Sequence, residues 1–96
     1  MGHTEIAFDI QTITGTTTLG ASDYAVLCNS ASAFTVTLPA AASNTGRRYH
    51  IKNINTGIIT VDGNGSETID GATTATLATQ FEAITIMCDG SNWHIL

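Results

Sequence analysis

The chain has 96 residues, of which 43% are hydrophobic and only 11% are charged, and its formal net charge is −5. This length predicts a single domain with one hydrophobic core. Lysine and arginine occur only at Arg47, Arg48 and Lys52, too few for the basic patch of a nucleic-acid-binding protein. No apolar run approaches the roughly 18 residues of a membrane span, and no secretory signal is visible, so we expect no membrane insertion.

Threonine, which occurs 17 times, dominates the polar residues and favours β-structure. Its β-branched side chain suits a pleated, half-buried surface and suits a helix poorly. A surface rich in threonine and poor in charge loses its water at low cost when it meets another subunit. The composition therefore fits a small β-domain that completes its core by self-association.

Short β-prone segments follow one another along the chain, separated by turn sequences. The pairs Asp62-Gly63, Asn64-Gly65, Asp70-Gly71 and Asp89-Gly90 place glycine where a turn needs positive φ. Two further turns, at residues 44–46 and 55–57, are eleven residues apart, and we interpret them as adjacent hairpin connections. Residues 40–42 follow the only proline and are predicted as loop. The predicted strands are residues 5–14, 16–19, 24–28, 34–38, 48–54, 58–62, 67–69, 74–78, 81–88 and 93–96.

These signals predict an all-β fold, a sandwich, jelly roll or small barrel, and among these we favour a small antiparallel β-sandwich that is jelly-roll-like. Alternation places Phe34, Val36 and Leu38 on one face of their strand. Residues 81–88 and 93–96 are apolar on both faces, which is typical of central strands or subunit contacts. The predicted oligomer interface accordingly comprises Phe81, Ala83, Met87, His94 and Leu96.

No catalytic pattern is present, and we predict a protein that is not an enzyme and needs no cofactor. A Ser-His-Asp set drawn from Ser66 or Ser91 with His50 or His94 has no spacing that distinguishes it from chance. The two cysteines, Cys28 and Cys88, are interpreted as reduced and buried rather than as a disulfide.

Two weak metal-site hypotheses remain open. The loop with Asp62, Asn64 and Glu67 resembles the start of a calcium loop, but a β-turn accounts for it as well, since the glycine and glutamate of an EF-hand are misplaced. In a trimer, an inward-facing His50 or His94 would occur three times around the axis and would form a three-nitrogen metal site. The alternative for each histidine, which we favour, is a surface or interface residue.

The ordered motifs of the chain resemble modules of bacteriophage tail fibres and tail spikes, and they are also similar to trimeric phage capsid decoration proteins. The motifs are residues 19–28 (LGASDYAVLC), 34–41 (FTVTLPAA), 46–53 (GRRYHIKN), 61–71 (VDGNGSETIDG) and 89–94 (DGSNWH). The resemblance implies a trimeric β-sandwich that recognises a receptor or stabilises a trimer. It provides no catalytic motif and no binding residue to transfer.

The sequence therefore predicts an N-terminal strand or arm over residues 1–15 and a phage-type β-sandwich domain over residues 16–96. We expect a structural protein of the virion surface, made in the bacterial host cytoplasm, that acts as a tail-fibre or tail-spike head. Its expected partners are two further copies of itself, other virion proteins, or a glycan or protein of the host surface. The alternatives are a capsid decoration protein and a carbohydrate-binding module that uses Trp93, although the position of Trp93 favours the core.

Overall fold

A computed structural model describes residues 7–96, which form nine β-strands and one 3₁₀ turn, Ala41–Ser43. This turn falls on the segment predicted as loop. The predicted segment 67–69 contributes only isolated bridges of Ile69, and residues 5 and 6 lie outside the described part. The strands are β1 (Ile10–Ile13), β2 (Thr17–Thr18), β3 (Ala25–Cys28), β4 (Phe34–Thr37), β5 (Arg48–Asn53), β6 (Ile59–Asp62), β7 (Thr74–Leu77), β8 (Ala83–Cys88) and β9 (Trp93–Ile95).

The strands form two mixed sheets, which we call sheet A (β1-β3-β5-β8-β9) and sheet B (β2-β4-β6-β7). From β1 to β6 the chain alternates between them, so that successive strands within each sheet are parallel. The all-β prediction is thus confirmed, whereas the antiparallel part of it is wrong. Only the last three strands, β7 to β9, add antiparallel pairings.

The interpretation of the two turns eleven residues apart as hairpins is wrong. Residues 44–46 connect β4 of sheet B to β5 of sheet A, and residues 55–57 connect β5 back to β6 of sheet B. Each turn therefore carries the chain across the core from one sheet to the other. Five such crossings lead from β1 to β6, and a crossing followed by its return, which we call a double crossing, separates neighbouring parallel strands.

A single core lies between the two sheets and is formed by alternate residues of each strand. Phe34, Val36 and Leu38 are all buried, as their alternation predicts, and Ile86 and Trp93 face them from sheet A. The last strand, β9, pairs with β8, which makes β8 an internal strand of its sheet. Burial of apolar side chains on this scale is the main stabilising contribution to a domain of this size.

The outer face of sheet B carries rows of threonine. Thr35, Thr60 and Thr76 are aligned across β4, β6 and β7, and Thr37 lies beside Asp62 in the next row. These side chains alternate with the buried ones on the same strands. At least four of the 17 threonines of the chain therefore lie on the outer face of this sheet.

Glycines serve two different purposes in the turns. Asp70 (φ 50°) and Gly71 (φ 86°) both have positive φ and close a two-residue connection between the bridged residues Ile69 and Ala72. This is the backbone geometry expected of a type I′ turn. Gly63, predicted from the sequence to have positive φ, is required instead because a Cβ there would lie 2.4 Å from the carbonyl oxygen of Glu67. Within residues 7–96, no helix is long and apolar enough to cross a membrane.

The predicted boundary between an N-terminal arm and the main domain falls between β1 and β2. Residues 10–13 form the edge strand of sheet A, where β1 pairs in parallel with β3. Residues 1–6 of the predicted arm lie outside the described part of the chain.

Candidate functional site

The five residues of the predicted oligomer interface all belong to the β8–β9 half of sheet A. Met87 and His94 lie side by side on its outer face, and Leu96 follows β9. These three residues, with Cys88 and Asp89, line a shallow apolar depression of about 200 Å³. Leu96, which lines the depression, is 66% exposed to solvent in the single chain.

Phe81 and Ala83 lie at the opposite end of β8. Phe81 is 63% exposed and has a φ of 73°, a left-handed conformation that is costly for a residue with a bulky side chain. Its backbone N–H donates to the carbonyl oxygen of Asn53 at 2.5 Å, and the Lys52 ammonium lies 5.7 Å from the centre of its ring. A large aromatic side chain is thus presented to solvent from a strained backbone position.

The exposed side chain of His94 contacts two carboxylates rather than a serine hydroxyl. Its Nε2 lies 2.7 Å from Oδ2 of Asp89, and its Nδ1 lies 3.8 Å from Oδ1 of Asp70. Because a Ser-His-Asp triad needs one imidazole nitrogen for the serine hydroxyl, this arrangement does not match one. Hydrogen bonds from the Asn92 backbone, from His94 and from the Ser91 backbone lower the pKa of Asp89 to about 2.

His50 uses both ring nitrogens within its own chain. Nδ1 lies 2.8 Å from the Thr85 hydroxyl, and Nε2 lies 2.9 Å from the Tyr24 hydroxyl. These contacts hold the half-buried imidazole on the outer face of β5 between β3 and β8. His50 therefore anchors the Tyr24 ring.

The loop that resembles a calcium loop is organised by hydrogen bonds to the backbone. The carboxylate of Glu67 accepts the Ala41 N–H, with its two oxygens at 3.1 and 3.0 Å, and so holds the 3₁₀ turn. The backbone carbonyl of Asn64 accepts the Glu67 N–H at 3.0 Å. Within the part of the chain that is described, no group of three or more His, Cys, Asp or Glu side chains is arranged to hold a metal ion. Asn64 and Glu67 therefore belong to a turn that is bonded to the β4–β5 connection, and Asp62 lies beside Thr37 at the end of β6.

Both cysteines and the tryptophan belong to the core. Cys28 and Cys88 are buried and unbonded to each other, as predicted, and burial raises the pKa of Cys28 to about 11. Trp93 is fully buried and stacks on Tyr49, with ring centroids 5.7 Å apart. Since its indole is inaccessible, the carbohydrate-binding module that stacks a sugar on Trp93 is excluded as a hypothesis for this residue.

An open groove of about 460 Å³ lies on the surface of the described chain. It lies at the N-terminal ends of the parallel strands β1, β3 and β5, and its walls are residues 7–9, 21–24 and 46–48. Phe8 and Tyr24 stack inside it with ring centroids 4.4 Å apart. Sequence reasoning missed this site because its three segments are distant in sequence. The one local signal was the adjacent Arg47 and Arg48, two of only three cations in the chain.

No protein-family model and no curated protein matches this chain.

Proposed function

We propose that the protein is a non-enzymatic surface module of a bacteriophage particle that self-associates as a homotrimer, in the manner of a tail-fibre or tail-spike head. The observation that carries this proposal is the exposed apolar surface of the β8–β9 half of sheet A. Phe81 and Leu96 are each more than 60% exposed there, and Leu96 lines the apolar depression together with Met87. A monomer gains nothing from exposing such residues, whereas a neighbouring chain would bury them.

The remaining support comes from composition and from the order of the motifs. A chain with 11% charged residues buries few unpaired charges when it associates. The five motifs that resemble phage tail modules span residues 19–94, which includes both sheets. A rigid two-sheet domain would display its loops in fixed geometry, and three copies would multiply a weak receptor contact through effective concentration.

Sedimentation equilibrium of the purified chain tests the trimer. We expect a mass three times that of the single chain at micromolar concentration. Phe81→Ala should raise the dissociation constant at least about fivefold, because truncation of a buried aromatic anchor typically costs 1 kcal/mol or more. Phe8→Ala is the matched control, since Phe8 is also 63% exposed but lies on the other half of sheet A. A monomeric wild-type chain would refute the trimer.

The position on the particle is tested by immunogold labelling of the phage. Label at the tail tip is expected for a fibre or spike head. Label distributed over the head would replace this proposal with the capsid decoration alternative, in which the same apolar surface contacts the shell.

A further inference from the structure

We propose that the groove at the N-terminal ends of β1, β3 and β5 binds a neutral pyranose sugar, as one unit of a polysaccharide. The site is built from a single chain and combines an aromatic platform with paired cationic and anionic side chains. Its role as the receptor contact of a phage module rests on the proposed function, but its ability to bind a sugar does not.

The aromatic platform is formed by Phe8 and Tyr24. Their rings are nearly parallel, with an interplanar angle of 20°, and Phe8 is 63% exposed. Tyr24 is fixed from behind by His50, which contacts it edge-on at 4.8 Å and bonds its hydroxyl. A pyranose ring has an apolar face of C–H groups that packs against such a ring. Because Phe8 is already stacked on the anchored Tyr24, little side-chain entropy is lost when the ligand packs against the exposed Phe8 ring.

The polar side of the groove offers both donors and acceptors. Arg47 donates from Nε to Asn44 at 3.0 Å and from Nη1 to the Ala21 carbonyl oxygen at 2.9 Å. These bonds orient the guanidinium and use only two of its five donors. Asp23 is held in place by the Gly20 N–H at 2.8 Å. A sugar hydroxyl both donates and accepts, so it can bond a carboxylate and a guanidinium at the same time.

The charges in the groove favour a neutral ligand over an anion. Arg47 and Arg48 are balanced by Asp9 and Asp23, whereas the chain as a whole has a net charge of −5. An anion would meet two carboxylates within the site and a negative protein around it. Locally balanced charges impose no such penalty on a ligand whose polar groups are hydroxyls.

The groove borders the proposed trimer surface without requiring it. Arg48 lies opposite Met87 in the register of β5 and β8, so the two features are neighbours across one strand pair. All of the groove residues come from one chain. Sugar binding and trimer formation can therefore succeed or fail independently.

A titration of the full-length chain followed by amide NMR shifts tests the proposal. The probes are glucose, galactose and N-acetylglucosamine, with galacturonate as the acidic arm. We expect at least one neutral sugar to shift the amides of residues 21–24 and 46–48 with saturation in the millimolar range. Phe8→Ala should weaken that binding about tenfold, while the equally exposed Phe81→Ala leaves it unchanged.

Three results would overturn the proposal. The first is the absence of amide shifts in the groove with every neutral sugar. The second is amide shifts with galacturonate alone, which would indicate a simple anion site. The third is an equal loss of sugar affinity in Phe8→Ala and Phe81→Ala. Sedimentation equilibrium of the same samples measures trimer formation independently of sugar binding. A trimer that binds no sugar refutes only the groove, and a monomer that binds sugar refutes only the trimer.

Discussion

Asn53 is the buried polar side chain on which the crossing from sheet A to sheet B depends. It is fully buried, and its amide nitrogen donates to the carbonyl oxygens of Gly57 and Leu77 at 2.9 and 3.0 Å. Its amide oxygen accepts the Asn55 N–H at 3.1 Å. One side chain thus joins the end of β5, the connecting turn and β7. We predict that Asn53→Ala destabilises the domain more than any change at an exposed asparagine.

The size of this effect follows from the hydrogen bonds that are lost. Three bonds at a net value of about 1 kcal/mol each, with partners left unsatisfied in a buried position, give a loss of about 2–4 kcal/mol. For a domain of this length, such a loss lowers the melting temperature by on the order of 10–25 °C. Thermal unfolding followed by circular dichroism at fixed protein concentration measures it, since self-association also shifts the transition. Asn55→Ala, which removes only exposed bonds to Asn29 and Thr56, serves as the control and should cost less than about 1 kcal/mol.

Asn53→Asp sharpens the prediction because it keeps the shape and removes the donors. An ionised carboxylate would face two carbonyl oxygens in a buried site, so we expect its folded-state pKa to lie above its ordinary value. The folded state then prefers the protonated side chain. The variant should therefore be most stable at acidic pH and should lose stability as the pH rises through the raised pKa. The reasoning is refuted if Asn53→Ala melts within a few degrees of Asn55→Ala, or if Asn53→Asp gains stability towards neutral pH relative to wild type.

Two further predictions concern a close backbone contact and a lowered pKa. Gly57→Ala should destabilise by about 2 kcal/mol or more in urea unfolding, because its Cβ would lie 2.3 Å from the Ser32 carbonyl oxygen, whereas Gly15→Ala has open space and should be nearly neutral. Equal effects of the two would show that Gly57 and Ser32 do not approach so closely. The lowered pKa of Asp89 contributes stability above its ordinary value of 3.8 that is lost as the pH falls towards about 2. The melting temperature of wild type should therefore fall more steeply than that of Asp89→Asn over this acidic range, and parallel curves would show that the bonds to Asp89 are not formed.

The strands and their buried faces were predictable because both depend on local chemistry. Strict alternation at Phe34, Val36 and Leu38 fixes which side chains enter the core, whatever strand lies beside them. The pair Asp70-Gly71 likewise adopts the turn that its own conformational preferences favour. In contrast, the Ile69 segment has the right residues for a strand but forms only isolated bridges.

Strand pairing was not predictable from the turns, because the same Asn-Thr-Gly sequence can close a hairpin or carry the chain between sheets. The spacing between paired residues of β3 and β5, and of β4 and β6, is 25 residues rather than eleven. Ala25 pairs with His50 and Phe34 pairs with Ile59, and both pairs are 25 apart in number. The sequence contains this repeat as Tyr24 and Tyr49 at the starts of corresponding segments and as Thr-Val after Phe34 and Ile59. Parallel neighbours must be one full double crossing apart, so this spacing indicates parallel sheets.

The apolar outer face of β8 and β9 and the groove differ in how far the sequence predicts them. The apolar outer face of β8 and β9 was predictable because apolar residues on both faces of one strand are visible in a local window. The groove requires three segments that meet only when β1, β3 and β5 are parallel, because parallel strands place their N-terminal ends at the same edge. A prediction that makes all strands antiparallel therefore misses the groove, but it still identifies the apolar outer face of β8 and β9.

The same topology is compatible with both proposals, an association surface and a ligand groove on sheet A. The parallel half, β1, β3 and β5, gathers successive crossings at one edge and builds a groove from their loops. The antiparallel strands β8 and β9 complete sheet A after the last crossing, and the exposed surface beside them carries the apolar depression. Since Phe8 and Phe81 are equally exposed but lie on different halves, their two alanine variants separate the proposed activities. A variant that abolishes both together would contradict this separation.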